Sequence, residues 1–401
     1  MSISIIITIC SLLLFAYLFD ISSSRTKIPS VILLLILGWS VKQAAVFFNI
    51  TIPNLTPILP VLGTIGLILI VLEGSFELEL DRSKFTVIKN SSLLAIIQLL
   101  GVSFGLAYAF HYFGGTSFRV GLINAIPLAI ISSAIAIPSA KNLSSKNKEF
   151  ITYESSLSDV FGVIFFNFVS LNEHITVQTY GYFLFELIII IILSFLSTIA
   201  LAFLLSKIKN KIKFTPIILL VILIYSISKY YHLPSLLFIM IFGLFIGNLE
   251  HLHRFKAIAK LKPQILNLEV HKFKEITTEL TFMIRSLFFL LFGYLIETSE
   301  LFNEQTFKWA VLLTIGMFVL RRILLFIFRL PKSPLLHIAP RGLITILLFL
   351  SIPIAQKIEI ANKSLILQVI VLTALTMTYG LLRHKADANT GSIVERVEPE
   401  E

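Results

Sequence analysis

Apolar runs long enough to cross a lipid bilayer recur along nearly the whole of this 401-residue chain. About 20 helical residues span the hydrocarbon core of a bilayer. With 56% hydrophobic and 14% charged residues, the sequence lies outside the range of water-soluble domains. We therefore predict an all-α integral membrane protein of about 13 transmembrane helices. The predicted spans lie near 2–19, 28–43, 57–79, 91–112, 120–140, 150–170, 181–206, 214–229, 233–248, 275–297, 308–330, 335–355 and 364–383.

The loops between these spans differ in their basic residues. With the N-terminus placed outside the cell, most lysines and arginines fall in cytoplasmic loops, where membrane proteins concentrate them. The pattern predicts the N-terminus outside, the C-terminus in the cytoplasm and a location in the plasma (inner) membrane. It also accounts for the net charge of +10, so no nucleic-acid partner is expected. The basic residues left outside are Lys42, Arg119, Lys229, Lys308, Lys357 and Lys363.

Two polar segments lie on the predicted cytoplasmic side. The connection 254–274, which contains Pro263, is expected to form an amphipathic helix on the membrane surface. Residues 387–401 are expected to be a short tail without an appended regulatory domain. Two histidines, His251 and His253, lie near these loops and are expected to be solvated.

Two of the predicted helices contain helix-breaking residues. The fifth reads ISSAIAIPSAKN, with Pro138 after a serine pair, and the twelfth reads HIAPRGLITILL, with Arg341 between a proline and a glycine. Such breaks free backbone groups that must line a protein-enclosed cavity. The two helices are seven apart and run in opposite directions, which indicates an inverted repeat whose broken helices cross at the midplane. Arg341 is expected to neutralise a helix end or to position the crossing.

The sixth predicted helix, FITYESSLSDVFGVIFFNFVS, carries two carboxylates at membrane depth. A charge there costs at least about 2.5 kcal/mol, so it is tolerated mainly beside a partner, water or an ion pathway. Asp159 has no basic residue within one helical turn, and Ser155 lies four residues earlier on the same face. We predict that these two residues bind a small hard cation. Glu154 points about 140° away.

These segments resemble the monovalent cation:proton antiporter (CPA) superfamily, of the sodium/proton exchanger type. YESSLSDVFGV at 153–163 is similar to the family's sixth-helix motif, and IVLEGSFEL at 70–78 is similar to its third-helix segment. LFFLLFGYLIE at 287–297 is similar to its tenth helix, and APRGLITILLFL at 339–350 to its broken twelfth. The resemblance covers nearly the whole chain in order and implies a homodimeric antiporter for Na+ or K+ and H+ that acts in pH homeostasis.

The resemblance also implies a division of the chain. We expect a scaffold and dimer unit, a moving core and a linker helix within a transmembrane domain of residues 1–386. The scaffold and dimer unit comprises residues 1–89 and 214–297, and the moving core comprises residues 90–170 and 308–383. The linker helix is 181–206. In the implied cycle Asp159 binds one proton or one cation in competition, and the core carries it between the two aqueous faces.

Two departures from the family pattern leave the transported ion open among Na+, K+ and Li+. Ser158 stands where the family has Asn or Asp, and the crossing contains Ser132 and Ser133 where many exchangers have Thr-Asp-Pro. That serine-rich crossing resembles the potassium-efflux branch. All three serines are predicted to contribute to the cation and proton site. Because Ser158 does not titrate, exchange is expected to be electroneutral, with one proton for one cation.

Other charged residues have expected roles outside ion binding. The resemblance pairs Glu154 with an arginine of the eleventh helix, which is Arg321 or Arg322 here, and Arg285 is a rival partner. Successive residues point about 100° apart, so only one of the two neighbours faces the bundle. Glu73 is expected to line either a cytoplasmic funnel or a domain interface.

Two other classes of function stay open: an intramembrane enzyme, and a non-transporting sensor on an antiporter scaffold. An enzyme is disfavoured because the chain lacks HExxH, paired catalytic aspartates and a serine with a histidine at membrane depth. A sensor is expected to lack the transport aspartate, which is present as Asp159. Cys10 is the sole cysteine, so no internal disulfide or cysteine cluster can form, and no cofactor is expected.

Overall fold

The computed structural model describes residues 2–49, 55–76, 78, 84–173, 176–207, 214–231, 233, 235–248 and 263–394. These residues form α-helices and connecting segments, with no β-strand among them. The helices are α1 (Ser2–Thr26), α2 (Ser30–Phe47), α3 (Ile58–Phe76), α4 (Phe85–Gly114), α5 (Phe118–Ala129), α6 (Ser133–Ser139), α7 (Ser145–Leu171), α8 (Val177–Lys207), α9 (Phe214–Tyr230), α10 (Ser235–Gly247), α11 (Pro263–Tyr294), α12 (Thr298–Leu301), α13 (Glu304–Ile327), α14 (Leu343–Ser351) and α15 (Lys363–Val394).

Most of these helices have the length and composition of membrane spans. Within the described residues nine are long and apolar enough to cross a membrane, with α5 and α6 taken together as one. Shorter apolar helices lie at Ile7–Ser23, Phe214–Tyr230 and Ser235–Gly247. The predicted all-α membrane fold is confirmed. The total of thirteen spans and the inverted repeat stay predictions.

The two predicted interruptions appear as extended backbone. Residues 130–132 separate α5 from α6, and residues 338–342 precede α14. Pro138, expected at the first break, lies inside α6 instead. The chain leaves the helix earlier because the amide of Ser132, at the end of this extended stretch, bonds to another broken segment and not to its own helix.

Two segments differ from their predicted extents. The last helix, α15, continues through Val394, beyond the predicted domain end at 386. The predicted surface helix at 254–274 falls partly on residues 254–262, which lie outside the described residues, as do His251 and His253. From Pro263 onward that connection is the first part of α11.

Helix packing places the two breaks in one group of helices. The helices α4, α5 and α7 pack together, α13 packs against α4 and α15, and α14 contacts α5 and α7. A second group forms where α11 packs against α2 and α3, and α3 against α10. Because α3 also contacts α6, α7 and α14, it lies between the two groups.

The contact between α2 and α11 is close enough to exclude side chains. A Cβ atom at Gly38 would overlap the backbone of Leu290, and one at Gly293 would overlap the backbone of Leu35. Beyond this contact, Lys42 Nζ donates to Glu297 Oε1 at 2.6 Å. That hydrogen bond and the Lys42 charge hold the pKa of the exposed Glu297 below its usual range.

Gly38→Ala is expected to destabilise the protein because its methyl group would meet backbone atoms, which cannot rotate away. Overpacking of this kind costs about 1–3 kcal/mol. Gly105→Ala on α4 is the matched control, since its Cβ would meet no atom within 4 Å. Thermal melting in detergent should give a lower Tm for Gly38→Ala alone. Equal Tm values for both variants would contradict the close packing.

Candidate functional site

The two broken segments meet at one point in the structure. The Ser132 amide donates to the Pro340 carbonyl at 2.8 Å, which joins the break of α5 and α6 to the segment before α14. A Cβ atom at Gly342 would lie only 2.7 Å from Ser132 Oγ, so a larger residue there would have to displace the Ser132 side chain. The Arg341 amide donates to Thr373 Oγ1 of α15 at 3.1 Å. Other parts of the protein therefore satisfy the amides of Ser132 and Arg341, which the breaks free from helical bonding.

The Arg341 side chain, from the second broken segment, lies against the C-terminal end of α5. Its guanidinium is fully buried, and it donates from Nε to the Leu128 carbonyl at 2.8 Å and from Nη2 to the Ala129 carbonyl at 3.3 Å. A third bond runs from Nη1 to the Ala339 carbonyl. The last carbonyls of a helix carry partial negative charge, so a cation is stabilised there. None of the salt bridges between described residues involves Arg341.

Asp159 lies on α7 beside the first break and is 1% exposed. Its Oδ2 atom accepts from the Ser133 amide at 3.2 Å and also from the Ser133 hydroxyl. Its Oδ1 atom is buried and has no hydrogen-bond partner among the described residues. A buried carboxylate oxygen without a partner is costly, so a proton or a cation at this atom would stabilise the site.

The remaining serines of the predicted site have different surroundings. Ser158 Oγ accepts from the Ile131 amide at 3.0 Å, so α7 holds the extended backbone of the break through that hydroxyl. Ser155 Oγ donates its proton to the Ile151 carbonyl of its own helix at 2.7 Å. Its oxygen lone pairs can still accept a hydrogen bond or bind a cation. The structure therefore brings Ser133 directly onto Asp159, and Ser158 onto the break.

Glu154 forms a buried ion pair with Arg321 of α13. Arg321 Nη1 donates to Glu154 Oε1 at 2.6 Å, and Nη2 donates to Oε2 at 2.9 Å, so the ion pair is bidentate. Both side chains are almost fully buried, whereas the neighbouring Arg322 is exposed. The rival partner Arg285 instead lies on α11, 3.9 Å from Asp20 of α1.

Sequence reasoning missed one member of this cluster. Gln98 of α4 is buried, and its Oε1 atom accepts from Arg321 Nη1 at 2.7 Å. The available signal was a lone amide in the middle of the apolar run 91–112. Thr373, which receives the Arg341 amide, was missed as well, and a single threonine in an apolar helix carries no such signal.

A cavity of about 260 Å³ reaches the site from the side of α3. Ser133 and Pro138 line it together with Glu73 of α3 and Glu279 of α11. Glu73 also lines an adjoining cavity of about 450 Å³. The side chain that holds Asp159 is thus connected to a space with carboxylates along its wall. Other charged residues that line the first cavity are Asp20, Lys141 and Arg285.

Comparison with known proteins relates most of the chain to one family. The family model described as "Sodium/hydrogen exchanger, transmembrane" matches residues 10–382. A structure of the sodium proton antiporter MjNhaP1 from Methanocaldococcus jannaschii at pH 8 superposes with a TM-score of 0.70 at 21% identity, covering 94% of this chain and 100% of that chain. A second MjNhaP1 structure, from electron microscopy, superposes with a TM-score of 0.62 at 19% identity and covers 100% of this chain and 99% of that chain. No curated protein sequence matches the chain.

Proposed function

The chain belongs to the sodium/hydrogen exchanger family and is an integral membrane protein, and on that premise we propose that it exchanges Na+ or K+ for protons across the membrane. One observation carries the proposal. Asp159 is a buried carboxylate with one oxygen held by Ser133 and the other without a partner among the described residues. The MjNhaP1 protein, which has a similar fold, is described as a sodium proton antiporter.

Competition for Asp159 couples the two ions. A proton on Oδ1 neutralises the carboxylate, and a dehydrated monovalent cation beside the same atom balances its charge, but one carboxylate cannot serve both. We propose that the Ser133 hydroxyl, the backbone oxygens of residues 130–132 and the Ser155 oxygen complete the cation's ligands. Oxygen atoms are the ligands that hard cations prefer.

The cavity that Ser133 and Glu73 line is the proposed route to Asp159. Its wall carries three carboxylates, Asp20, Glu73 and Glu279, against two basic residues, Lys141 and Arg285, and an excess of carboxylates raises the local concentration of cations. The core, residues 90–170 with 308–383, would then carry Asp159 to the opposite face, while the scaffold of 1–89 and 214–297 stays fixed in a homodimer. With the N-terminus outside, this cavity opens to the cytoplasm.

Exchange is proposed to be electroneutral because Asp159 alone changes its charge during the cycle. Ser158 carries no ionisable group, and Glu154 and Arg321 are paired with each other and not with Asp159. In proteoliposomes with a fixed cation gradient, an imposed potential of about 100 mV is worth about 2.3 kcal/mol per net charge moved. We expect the equilibrium pH gradient to be the same with and without that potential.

The same proteoliposomes identify the ion when Na+, K+ and Li+ are added separately to a preformed pH gradient. Dissipation by one or more of these cations is the expected result. If none of them dissipates the gradient while a protonophore does, the proposed function is wrong. If the membrane potential shifts the equilibrium pH gradient, exchange occurs but is not electroneutral. A second residue would then change its charge during the cycle, and Glu154 would be the first residue to substitute.

A further inference from the structure

Gln98 forms part of the Arg321 cluster in a way that neither the family match nor the motifs indicate. It lies in the middle of α4 and is 1% exposed. Its Oε1 atom and the Oε1 atom of Glu154 accept from the same nitrogen of Arg321, Nη1, at 2.7 and 2.6 Å. The amide of α4 and the carboxylate of α7 thus accept from the same nitrogen, and the carboxylate also accepts from Nη2.

All the donors of Arg321 are used in this arrangement. Besides the bonds to Gln98 and Glu154, Nε donates to the Leu335 carbonyl at 2.9 Å and Nη2 to the Ile338 carbonyl at 3.2 Å. A guanidinium has five N–H groups in a rigid plane, and here five acceptor contacts match them. The cluster therefore ties α4, α7 and α13 to the segment that leads into the second break.

Loss of the Gln98 acceptor would leave one N–H of a buried guanidinium without a partner. The guanidinium would then be free to shift against Glu154, on the same helix as Asp159. Gln98 bonds to Arg321 and not to Asp159, so its effect on exchange would pass through Arg321 and α7.

We propose that Gln98 is a positioning residue for exchange: it fixes Arg321 against α7, and position 98 can supply the carboxylate that Arg321 needs when position 154 cannot. The inference rests on the proposed function where it concerns exchange. Glutamate has the shape of glutamine, so a carboxylate at position 98 would keep its bond to Nη1 and add the missing charge.

The test moves the carboxylate from α7 to α4. Glu154→Gln leaves Arg321 without a counter-charge and is expected to lower the Tm in detergent and the exchange rate. Gln98→Glu is expected to lower the Tm in the wild-type background, where two carboxylates would share one guanidinium. Added to Glu154→Gln, the same change is expected to raise the Tm and to restore exchange. Methionine is similar in length to glutamine but lacks the amide oxygen that accepts from Arg321. Gln98→Met added to Glu154→Gln should therefore restore neither the Tm nor exchange.

Gln98→Met in the wild-type background separates positioning from stability. It is expected to raise the KM for the exchanged cation severalfold as well as to lower the Tm. Gln368→Met is the matched control, because Gln368 is a buried amide of α15 that donates to the Leu301 and Asn303 carbonyls, away from Arg321. It should lower the Tm with an unchanged KM.

The inference is overturned if Gln98→Glu fails to raise the Tm or the exchange rate of Glu154→Gln, or if Gln98→Met and Gln368→Met change the KM alike. The Tm comparisons do not depend on transport. If the wild-type protein exchanges no cation for protons, the proposed function fails while the Tm data still decide whether Gln98 and Glu154 share Arg321.

Discussion

Asp159→Asn is expected to abolish cation-dependent proton exchange while the protein still folds and inserts. Asparagine keeps an oxygen that can accept from the Ser133 amide and hydroxyl, so the contact with the first break survives. It can neither bind a proton at working pH nor balance the charge of a cation. In everted vesicles the variant should leave a preformed pH gradient unchanged when the transported cation is added.

The control for that experiment removes a carboxylate elsewhere. Glu300 lies in α12 and pairs with Lys363 at 3.0 Å, so Glu300→Gln changes the charge of the protein by the same amount. Exchange by Glu300→Gln should stay near the wild-type rate. Exchange at a rate near wild type by a well-inserted Asp159→Asn protein would refute the assignment of Asp159.

The second large effect concerns the stability of the Glu154–Arg321 pair. Removing either partner leaves a buried charge without compensation, which costs about 3–5 kcal/mol. Removing both leaves no unpaired charge, so the double variant should lose less than the sum of the single losses. The comparison uses Glu154→Gln, Arg321→Gln and the double variant, each melted in detergent.

Arg322→Gln is the matched control for that cycle. It removes the same charge from the neighbouring position, where the side chain is exposed, and such changes usually alter stability by no more than about 0.5 kcal/mol. A large loss from Arg322→Gln, or strict additivity between Glu154→Gln and Arg321→Gln, would contradict the buried pair.

The fold could be predicted from the sequence because bilayer thickness sets the length of each helix and proline and glycine mark the interruptions. The position of the first break could not. Pro138, which marked the break in the sequence, lies inside α6, and a second proline of that predicted helix, Pro127, lies inside α5, yet the chain leaves the helix at 130–132. The reason is a contact with the Pro340 carbonyl, from a segment some two hundred residues away along the chain, and no local pattern encodes it.

The candidate site was predicted in part. A carboxylate without a basic neighbour marked Asp159, because burying such a group is costly wherever it lies. The sequence could not choose between Arg321 and Arg322, since the choice depends on the rotation of α13 against α7. It also could not separate Ser132 from Ser133. Only the path of the extended backbone decides that the amide and hydroxyl of Ser133 are the ones that bond to Asp159.

Proton release on cation binding tests the central claim most directly, because it requires no transport. The purified protein in detergent, weakly buffered and with a pH-sensitive dye, is titrated with the cation that dissipates the gradient in proteoliposomes. Competition at Asp159 predicts up to one proton released per bound cation, saturating with cation concentration, and none from Asp159→Asn. Cation binding to the wild-type protein without proton release, or equal release from Asp159→Asn, would contradict it.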